Sequence, residues 1–492
     1  RQVYSQVRMW DNIIYVYLSR QGIVIPPKKE SNKDNQYVGA YVKEPKPGIY
    51  DWVVSFDLNS LYPHLIMQYN LSPETLLKGK RPSASIDRLL CQQESLDDLD
   101  GCTVCANGTL YDTTFQGFLP KLMEKIYKER TIYKKKMLTA KQQYEKNPSV
   151  KLKKEIARCN NIQMARKIQL NSAYGAIGNE HFRYYRLEIA EAITTSGQLS
   201  IRWIENKMNA FLNTTLKTEG KDYVIASDTD SIYLNMGPLV ETVYKGREKT
   251  DEVVVGFLDK VCQTKFEPFI ESSYQELAEY LNAYDQMMVM KRENIASKGI
   301  WTAKKRYILD VWDSEGVRYE KPKMKIMGLE TQRSSIPQYF RDKLLEAFKT
   351  IIKGTNEDVL KYIDFVKEDT RKQDPIDLAF PRGVNGLEKY KSNTSKSGIY
   401  AEGTPIHVRG ALLYNYYVRK NKVSHKHAYI QEGEKIKFIY LKQPNPIGEN
   451  VVSFMGTIPK EFNVDKYLSL IHISEPTRPE RSGGGGGGGE KK

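Results

Sequence analysis

The sequence predicts an α+β fold, and three stretches predict it. Trp52-Val-Val-Ser-Phe56 is an apolar run of strand length that ends at Asp57. Residues 120–146 and 150–171 carry helical periodicity and are separated by Asn147-Pro148, which reads as a long αα-hairpin. Tyr223–Ala226 and Ile232–Leu234 are apolar runs on either side of Ser227–Ser231, which reads as a β-hairpin with Asp228 and Asp230 at its tip.

The 492 residues allow two to four domains, each with its own core. A composition of 40% hydrophobic and 27% charged residues is that of a soluble globular chain. Lys and Arg number 75 against 60 Asp and Glu, a net charge of +15 and a pI near 9.2. That excess favours a polyanionic partner, nucleic acid before a membrane surface, although a basic inert surface would have the same charge. Five cysteines without framework spacing fit a reducing compartment. No apolar run approaches the roughly 18 residues of a membrane span. The chain opens on Arg1 rather than Met, so a truncated N-terminus is expected.

In chain order, residues 1–48 read as short strand-like runs, such as Ile13–Leu18 and Gly22–Pro26, with a polar linker at Lys28–Asn35. From Asp57 the sequence turns into a helix that runs through Ile66. Residues 75–116 read as mostly loop. Cys102 and Cys105 have the spacing of half a zinc site, but Cys91 is the only other nearby thiol. A hairpin turning at Asn107-Gly108 is the better reading. Pro120 suits the first turn of the first long helix, and Val150 opens the second. Both arms are basic, which a merely solvated face would also explain. Further helices are expected at 187–212, 251–283, 336–366 and 405–420. Strands are expected within 286–330, including Tyr307–Trp312 and Lys323–Met327, and near 436–441 and 451–454. Residues 468–492, which end in Gly483–Gly489 and three further residues, read as a translated sequencing adapter followed by poly-G read-through.

Several of these segments fit one chemistry. An Asp-x-Asp pair is common in surface turns, so Asp228 and Asp230 alone say little. Asp57 at a strand end supplies a carboxylate from a distant segment. Two acids so placed suit Mg2+, which takes one or two carboxylates together with substrate phosphates. Lys167, Asn171 and Tyr174 fall at i, i+4 and i+7, on one helix face, and Arg130 and Lys134 at i and i+4 on the other arm. Facing each other, the arms would clamp a triphosphate and stack a base. Lys304-Lys-Arg-Tyr307 is either an ordinary basic turn or a contact with a duplex backbone.

Taken together, these motifs resemble family B DNA polymerases. Asp57-Leu-Asn-Ser-Leu-Tyr-Pro63 resembles motif A, and Lys167-Ile-Gln-Leu-Asn-Ser-Ala-Tyr-Gly175 resembles motif B. Asp228-Thr-Asp-Ser231 resembles motif C. Lys304–Tyr307 is similar to the family's Lys-x-Tyr motif, and Tyr37-Val-Gly-Ala40 to its Tyr-x-Gly-Gly/Ala motif. Order and spacing agree as well. Lys325-Ile-Met-Gly-Leu-Glu-Thr-Gln332 and Val408-Arg-Gly410 point in particular to replicative polymerases of T-even-type bacteriophages.

The resemblance implies a right-hand polymerase with an antiparallel-sheet palm, αα-hairpin fingers and a mixed, largely helical thumb. Residues 1–48 would be a remnant of the N-terminal domain and linker. The palm would take 49–116 and 181–328, the fingers 117–180, and a truncated thumb 329–467, with no exonuclease domain in this piece. It implies DNA-directed DNA polymerase activity in viral replication, in the cytoplasm of an infected bacterium, with no membrane partner. The alternative is a fragment that binds primer–template without turnover.

By the same resemblance two Mg2+ ions, or Mn2+, would be held by Asp57, Asp230 and the Leu58 carbonyl, with Asp228 nearby. Leu58, Ser60, Leu61, Tyr62, Arg130, Lys134, Lys167, Asn171 and Tyr174 would form the dNTP site, Lys167 being catalytic as well. Tyr62 would exclude a 2′-hydroxyl. Tyr37, Gly39, Lys304, Lys305, Arg306 and Tyr307 would contact primer–template DNA. A sliding clamp would bind a C-terminal peptide that is absent here. One departure is that Ser227 stands where the family usually has Gly. If that position needs φ > 0, Ser costs about 1 kcal/mol there.

Overall fold

The computed structural model describes residues 5–28, 36–247, 249–392 and 398–469. The expected linker at 28–35 and tail at 468–492 fall largely outside them. The chain forms two compact units, Arg1–Lys325 and Ile326–Lys492. Helices and antiparallel sheets make up both, as an α+β fold requires.

The first unit opens on α1 (Gln6–Ser19), where strand-like runs were expected. Trp10, Ile14 and Leu18 recur every four residues and are fully buried, so the helical period wins over the local β-branched run. β1 (Gly48–Leu58) leads directly into α2 (Leu61–Gln68). Residues 76–112, expected as loop, form β2 (Leu76–Ser85), α3 (Ile86–Leu90), β3 (Cys102–Val104) and β4 (Asn107–Asp112). The three strands make a small sheet in the order β2-β4-β3. β3 and β4 turn at Cys105–Gly108, where the Gly108 N–H donates to the Cys105 carbonyl and Gly108 takes a φ of 79°. That is the expected hairpin, one to two residues early.

α4 (Phe118–Lys146) and α5 (Val150–Ile177) are the two arms of the predicted αα-hairpin, and the second runs two turns further than its periodicity indicated. The start of α4 is secured from outside the helix. Asn70 Oδ1 accepts from the Gly117 N–H at 2.8 Å, Glu74 from Phe118 at 2.6 Å and Ser72 from Leu119 at 3.4 Å. These side chains satisfy backbone donors that a helix N-terminus otherwise leaves unpaired. α5 is capped by Ser149, whose hydroxyl accepts from the Leu152 N–H. Arg166 and Glu129 bridge the two arms at 2.8 Å.

α6 (Leu187–Leu216) is buried on all sides over residues 192–201. A helix apolar or small all round belongs inside a core, and α6 is the element on which the site's floor rests. β5 (Val224–Asp228) and β6 (Ser231–Asn235) follow, then α7 (Gly237–Val243), α8 (Asp251–Val261) and α9 (Glu267–Tyr280), the last two joined by a π-helical turn over Cys262–Phe266. β7 (Met290–Ala303), β8 (Arg306–Ser314) and β9 (Val317–Met327) complete a six-stranded sheet, ordered β5-β6-β1-β7-β8-β9. β1 lies at its centre, antiparallel to β6 and β7.

The second unit has two parts. α10 (Gln338–Lys353) and α11 (Asn356–Arg371) form a helical hairpin. A single helix over 336–366 was expected. Gly354 and the capping box of Thr355 with Asp358 stop one helix and start the other. β10 (Phe380–Gly383), α12 (Leu387–Tyr390), α13 (Ile406–Lys420), β11 (Lys435–Tyr440) and β12 (Val451–Phe454) make a three-stranded sheet with α13 packed on it. α13 comes so close that a Cβ on Gly410 would stand 2.3 Å from Ser453 Oγ. Among the described residues, no helix is long and apolar enough to cross a membrane.

Candidate active site

The register of the large sheet brings the distant acids together. Asp57 pairs with Ser231 across β1 and β6, and the Leu58 N–H donates to the Asp230 carbonyl at 2.8 Å. The ends of β1 and of the β5–β6 hairpin therefore lie side by side, although 173 positions separate Asp57 from Asp230. Both carboxyls open into one cleft of about 590 Å³.

The electrostatics of the pair are unfavourable as it stands. Burial, with Asp230 and then Glu293 adding, pushes the Asp57 carboxyl up to about 7. Burial raises Asp230 to about 6, with Asp228 and Glu293 adding and the Asp230 backbone and Lys167 opposing. Two half-buried carboxyls that disfavour charge would be relieved by a hard cation. Among the described residues there is no cluster of three or more His, Cys, Asp or Glu that could hold a metal. The carboxylates brought side by side are those of Asp57 and Asp230. Two are too few for an all-protein cage, but they fit an ion completed by water and substrate phosphate.

The opposite wall is basic and belongs to the helical hairpin. Arg130, Lys134, Lys167, Asn171 and Tyr174 line the cleft with Leu58, Ser60, Leu61 and Tyr62. All nine residues expected around a nucleotide therefore share one cavity. Arg130 donates to Ser60 Oγ at 2.9 Å, while its Nε is buried and, among the described residues, has no acceptor. An orphaned guanidinium N–H in a basic cleft is a place for an anionic oxygen. Tyr62 and Tyr174 lie with ring centroids 4.7 Å apart, and the Tyr174 hydroxyl meets that of Tyr37 at 3.0 Å. A Cβ on Gly178, just past the end of α5, would fall 2.6 Å from the Tyr37 hydroxyl, so the Tyr37 ring would have to shift to admit one. Ser60 holds a left-handed φ of 49°, which lets the chain leave β1 and enter α2 within two residues.

The remaining expected residues lie outside the cleft lining. Asp228 turns to Lys305, 3.2 Å away. Lys304 and Lys305 are exposed on the β7–β8 turn, with Lys305 at φ 60° and Lys304 3.3 Å from Glu44. Arg306 is half-buried at the start of β8. Tyr307 was expected at the duplex. It is only 6% exposed, bonds Tyr233 hydroxyl to hydroxyl at 2.8 Å and stacks on Trp301, so it lies beneath the lysine turn. Tyr37 is half-buried and Gly39 exposed, its carbonyl accepting from Gln198 at 2.6 Å.

Ser227 does not need φ > 0. It sits in β5 opposite Ile232, and the left-handed residue of the turn is Thr229, at φ 60°. A β-branched residue there stores backbone strain, held by the Thr229 N–H donating to the Tyr41 carbonyl at 3.0 Å.

Sequence reasoning missed Gln163, Met164 and Glu315 in the cleft. The first two fall one helical turn before Lys167, so the spacing could have found them. Glu315 sits in the β8–β9 turn and carries no local signal. Glu293, whose charge acts on both acids, was also missed. It accepts from Ser55 at 3.3 Å and pairs with Lys325 at 2.8 Å.

Residues 4–474 match DNA polymerase family B. The chain is 35% identical over 503 residues to the DNA-directed DNA polymerase of Escherichia phage RB69, an alignment covering 92% of this chain and 55% of that protein. It is 33% identical over 514 residues to the DNA-directed DNA polymerase of Enterobacteria phage T4, covering 94% and 56%. Similarity extends to a DNA polymerase of Pyrococcus glycovorans, at 26% over 475 residues, covering 93% and 50%. The chain spans about half the length of the curated relatives it matches.

Proposed function

The chain belongs to DNA polymerase family B, and on that premise we propose that it extends a primer 3′-hydroxyl with deoxynucleotides on a DNA template during phage replication. In this reading the large sheet with α6 is the palm, over 49–116 and 181–328. α4 and α5 are the fingers, over 117–180, and residues 329–467 belong to the thumb. One observation carries the proposal: Asp57 and Asp230 open into the same cleft as Arg130, Lys134 and Lys167.

Asp57, Asp230 and the Leu58 carbonyl would hold two Mg2+ ions, for which Mn2+ could substitute. Bound there, the ions would supply charge neutralisation and activation of the attacking oxygen. The chain's own groups do the positioning. Arg130, Lys134 and Lys167 hold the triphosphate along the helical wall, aligning the α-phosphate for in-line attack and drawing charge toward the departing pyrophosphate. Tyr62 lies under the sugar, where a 2′-hydroxyl would meet its ring. Asn171 and Tyr174 close the side facing the new base pair. Lys304 and Lys305 grip the duplex through its phosphates, and Tyr307 with Tyr233 supports their turn from below. In the whole protein the partners we propose are primer–template DNA, dNTPs and a sliding clamp, in the host cytoplasm.

The test is primer extension with Mg2+ and dNTPs, beside filter binding of primer–template. Extension that Asp230→Asn reduces by roughly 10³-fold or more, with DNA binding kept, supports polymerase activity. Binding without extension identifies the alternative, a primer–template-binding fragment. Equal extension by the Asp230→Asn variant would falsify the metal assignment.

A further inference from the structure

Behind the acidic hairpin, outside the cleft lining, lies a polar network, buried at Ser227 and Glu205, that the proposed chemistry does not use. Ser227 is fully buried in β5, and its hydroxyl donates to Glu205 Oε2 on α6 at 3.0 Å. The other oxygen of Glu205 meets the Lys43 ammonium at 2.6 Å, and Lys43 also reaches Asp222 at 2.7 Å. Lys43 is tied to the same strand by its backbone, its N–H donating to the Ser227 carbonyl at 3.0 Å. The neighbouring Val42 bridges Asp228, and the Tyr41 carbonyl accepts from Thr229. Residues 41–43 thus lie along the outer edge of β5 as a short antiparallel strap. Side chain and backbone of one lysine clamp the hairpin to the central helix.

We infer that Ser227 is a positioning residue, which through Glu205 and Lys43 fixes the height of the turn that presents Asp230. The inference rests on the reading of Asp57 and Asp230 as the metal site. Three features point to positioning beyond ordinary packing. The serine hydroxyl is the only side-chain group by which β5 is bonded to Glu205 among the described residues. Glu205 is 9% exposed, so little water can replace that hydroxyl. And the turn beyond Ser227 holds a β-branched residue at positive φ, a conformation that persists only where surrounding bonds over-determine it. Releasing the strap side of β5 lets Thr229 relax, and Asp230 is the next residue.

The experiment uses the full chain and Mn2+ alone as probe, following loss of the free-ion electron paramagnetic resonance signal. Primer extension against Mg2+ concentration is measured in parallel. Ser227→Ala is expected to weaken Mn2+ binding by roughly tenfold. It should raise the Mg2+ concentration for half-maximal extension by a similar factor and leave the dNTP KM at saturating Mg2+ unchanged. Glu205→Gln keeps an acceptor for the serine but loses the ion pair with Lys43, and should shift Mn2+ binding in the same direction by a smaller factor. It also serves if Ser227→Ala does not fold. Asp230→Asn is the control for the underlying reading: if it binds Mn2+ as the parent does, the site itself is misassigned. If Asp230→Asn loses Mn2+ while Ser227→Ala and Glu205→Gln keep the parental Mn2+ affinity and Mg2+ midpoint, the inference is overturned, even where the melting temperature falls.

Discussion

The floor and the wall of the cleft are built on opposite principles. The floor is two strand ends whose acids are half-buried, raised in pKa and joined by sheet register across a long stretch of chain. The wall is two adjacent helices whose cations are partly or fully exposed and follow one another at helical spacing. Groups on the floor have little freedom and strong mutual coupling. Groups on the wall, apart from the buried Nε of Arg130, are more exposed and more loosely coupled. Substitutions should therefore separate, the floor acting on metal binding and the wall on nucleotide binding.

The largest effect expected on the wall tests that separation. Lys167→Ala should lower kcat/KM for dNTP incorporation by roughly 100-fold, the scale of losing one charge-assisted contact to a phosphoryl group in the transition state. Mn2+ binding without nucleotide should stay close to parental, because Lys167 is exposed and only opposes the shift on Asp230. Single-nucleotide incorporation beside a Mn2+ titration measures both. A large loss of Mn2+ affinity would merge floor and wall into one coupled unit.

The two also differed in how far the sequence revealed them. Helical spacing placed Arg130, Lys134, Lys167, Asn171 and Tyr174 together without any knowledge of the sheet, since residues three and four apart must share a face. Nothing local places Asp57 beside Asp230. Their pairing depends on strand order, and only the whole set of motifs suggested it. The same contrast holds for the fold. The long helices were legible to within two turns, and β1, β5 and β6 were bounded by clear polar turns. The small β2-β4-β3 sheet was not, because its exposed, lysine-rich β2 lacks alternation. α1 was misread because its β-branched run hides a four-residue period. Ser227 looked like a conformational problem and proved to be a hydrogen-bonding one, since a chain reading gives no φ.

The next effect concerns how the wall is hung from the floor. Asn70 follows α2 at a left-handed φ of 52°. Its side chain donates to the Asp112 and Phe115 carbonyls and accepts from Gly117 at the start of α4. Asn70→Ala removes three buried bonds and leaves backbone groups unpaired, at a position where Ala tolerates positive φ less well. It should destabilise the first unit by about 2 kcal/mol, read by urea unfolding. Asn70→Asp keeps the acceptor and loses the donors, so it should not restore the parental midpoint. A parental midpoint for Asn70→Ala would mean that Glu74 and Ser72 hold the helix start unaided.

The smallest effect isolates the floor. In the metal-free protein the folded carboxyls of Asp57 and Asp230 stand at about 7 and about 6, against 3.8 for an ordinary aspartate. Folding thus favours their protonated forms. This contribution is complete below the unfolded pKa, near pH 4, and is lost as pH rises through 6 and 7. Metal-free protein should lose roughly 2–4 °C in melting temperature between pH 5 and 8 from this source. Mg2+ should reverse the trend above pH 7, because the ion favours the charged pair that burial disfavours. Asp57→Asn should flatten both curves by removing the mutual repulsion along with one titrating group. Lys167→Ala should steepen the metal-free curve, since its ammonium opposes the rise on Asp230. If it does not, the wall lends the floor no charge until a nucleotide brings the two together.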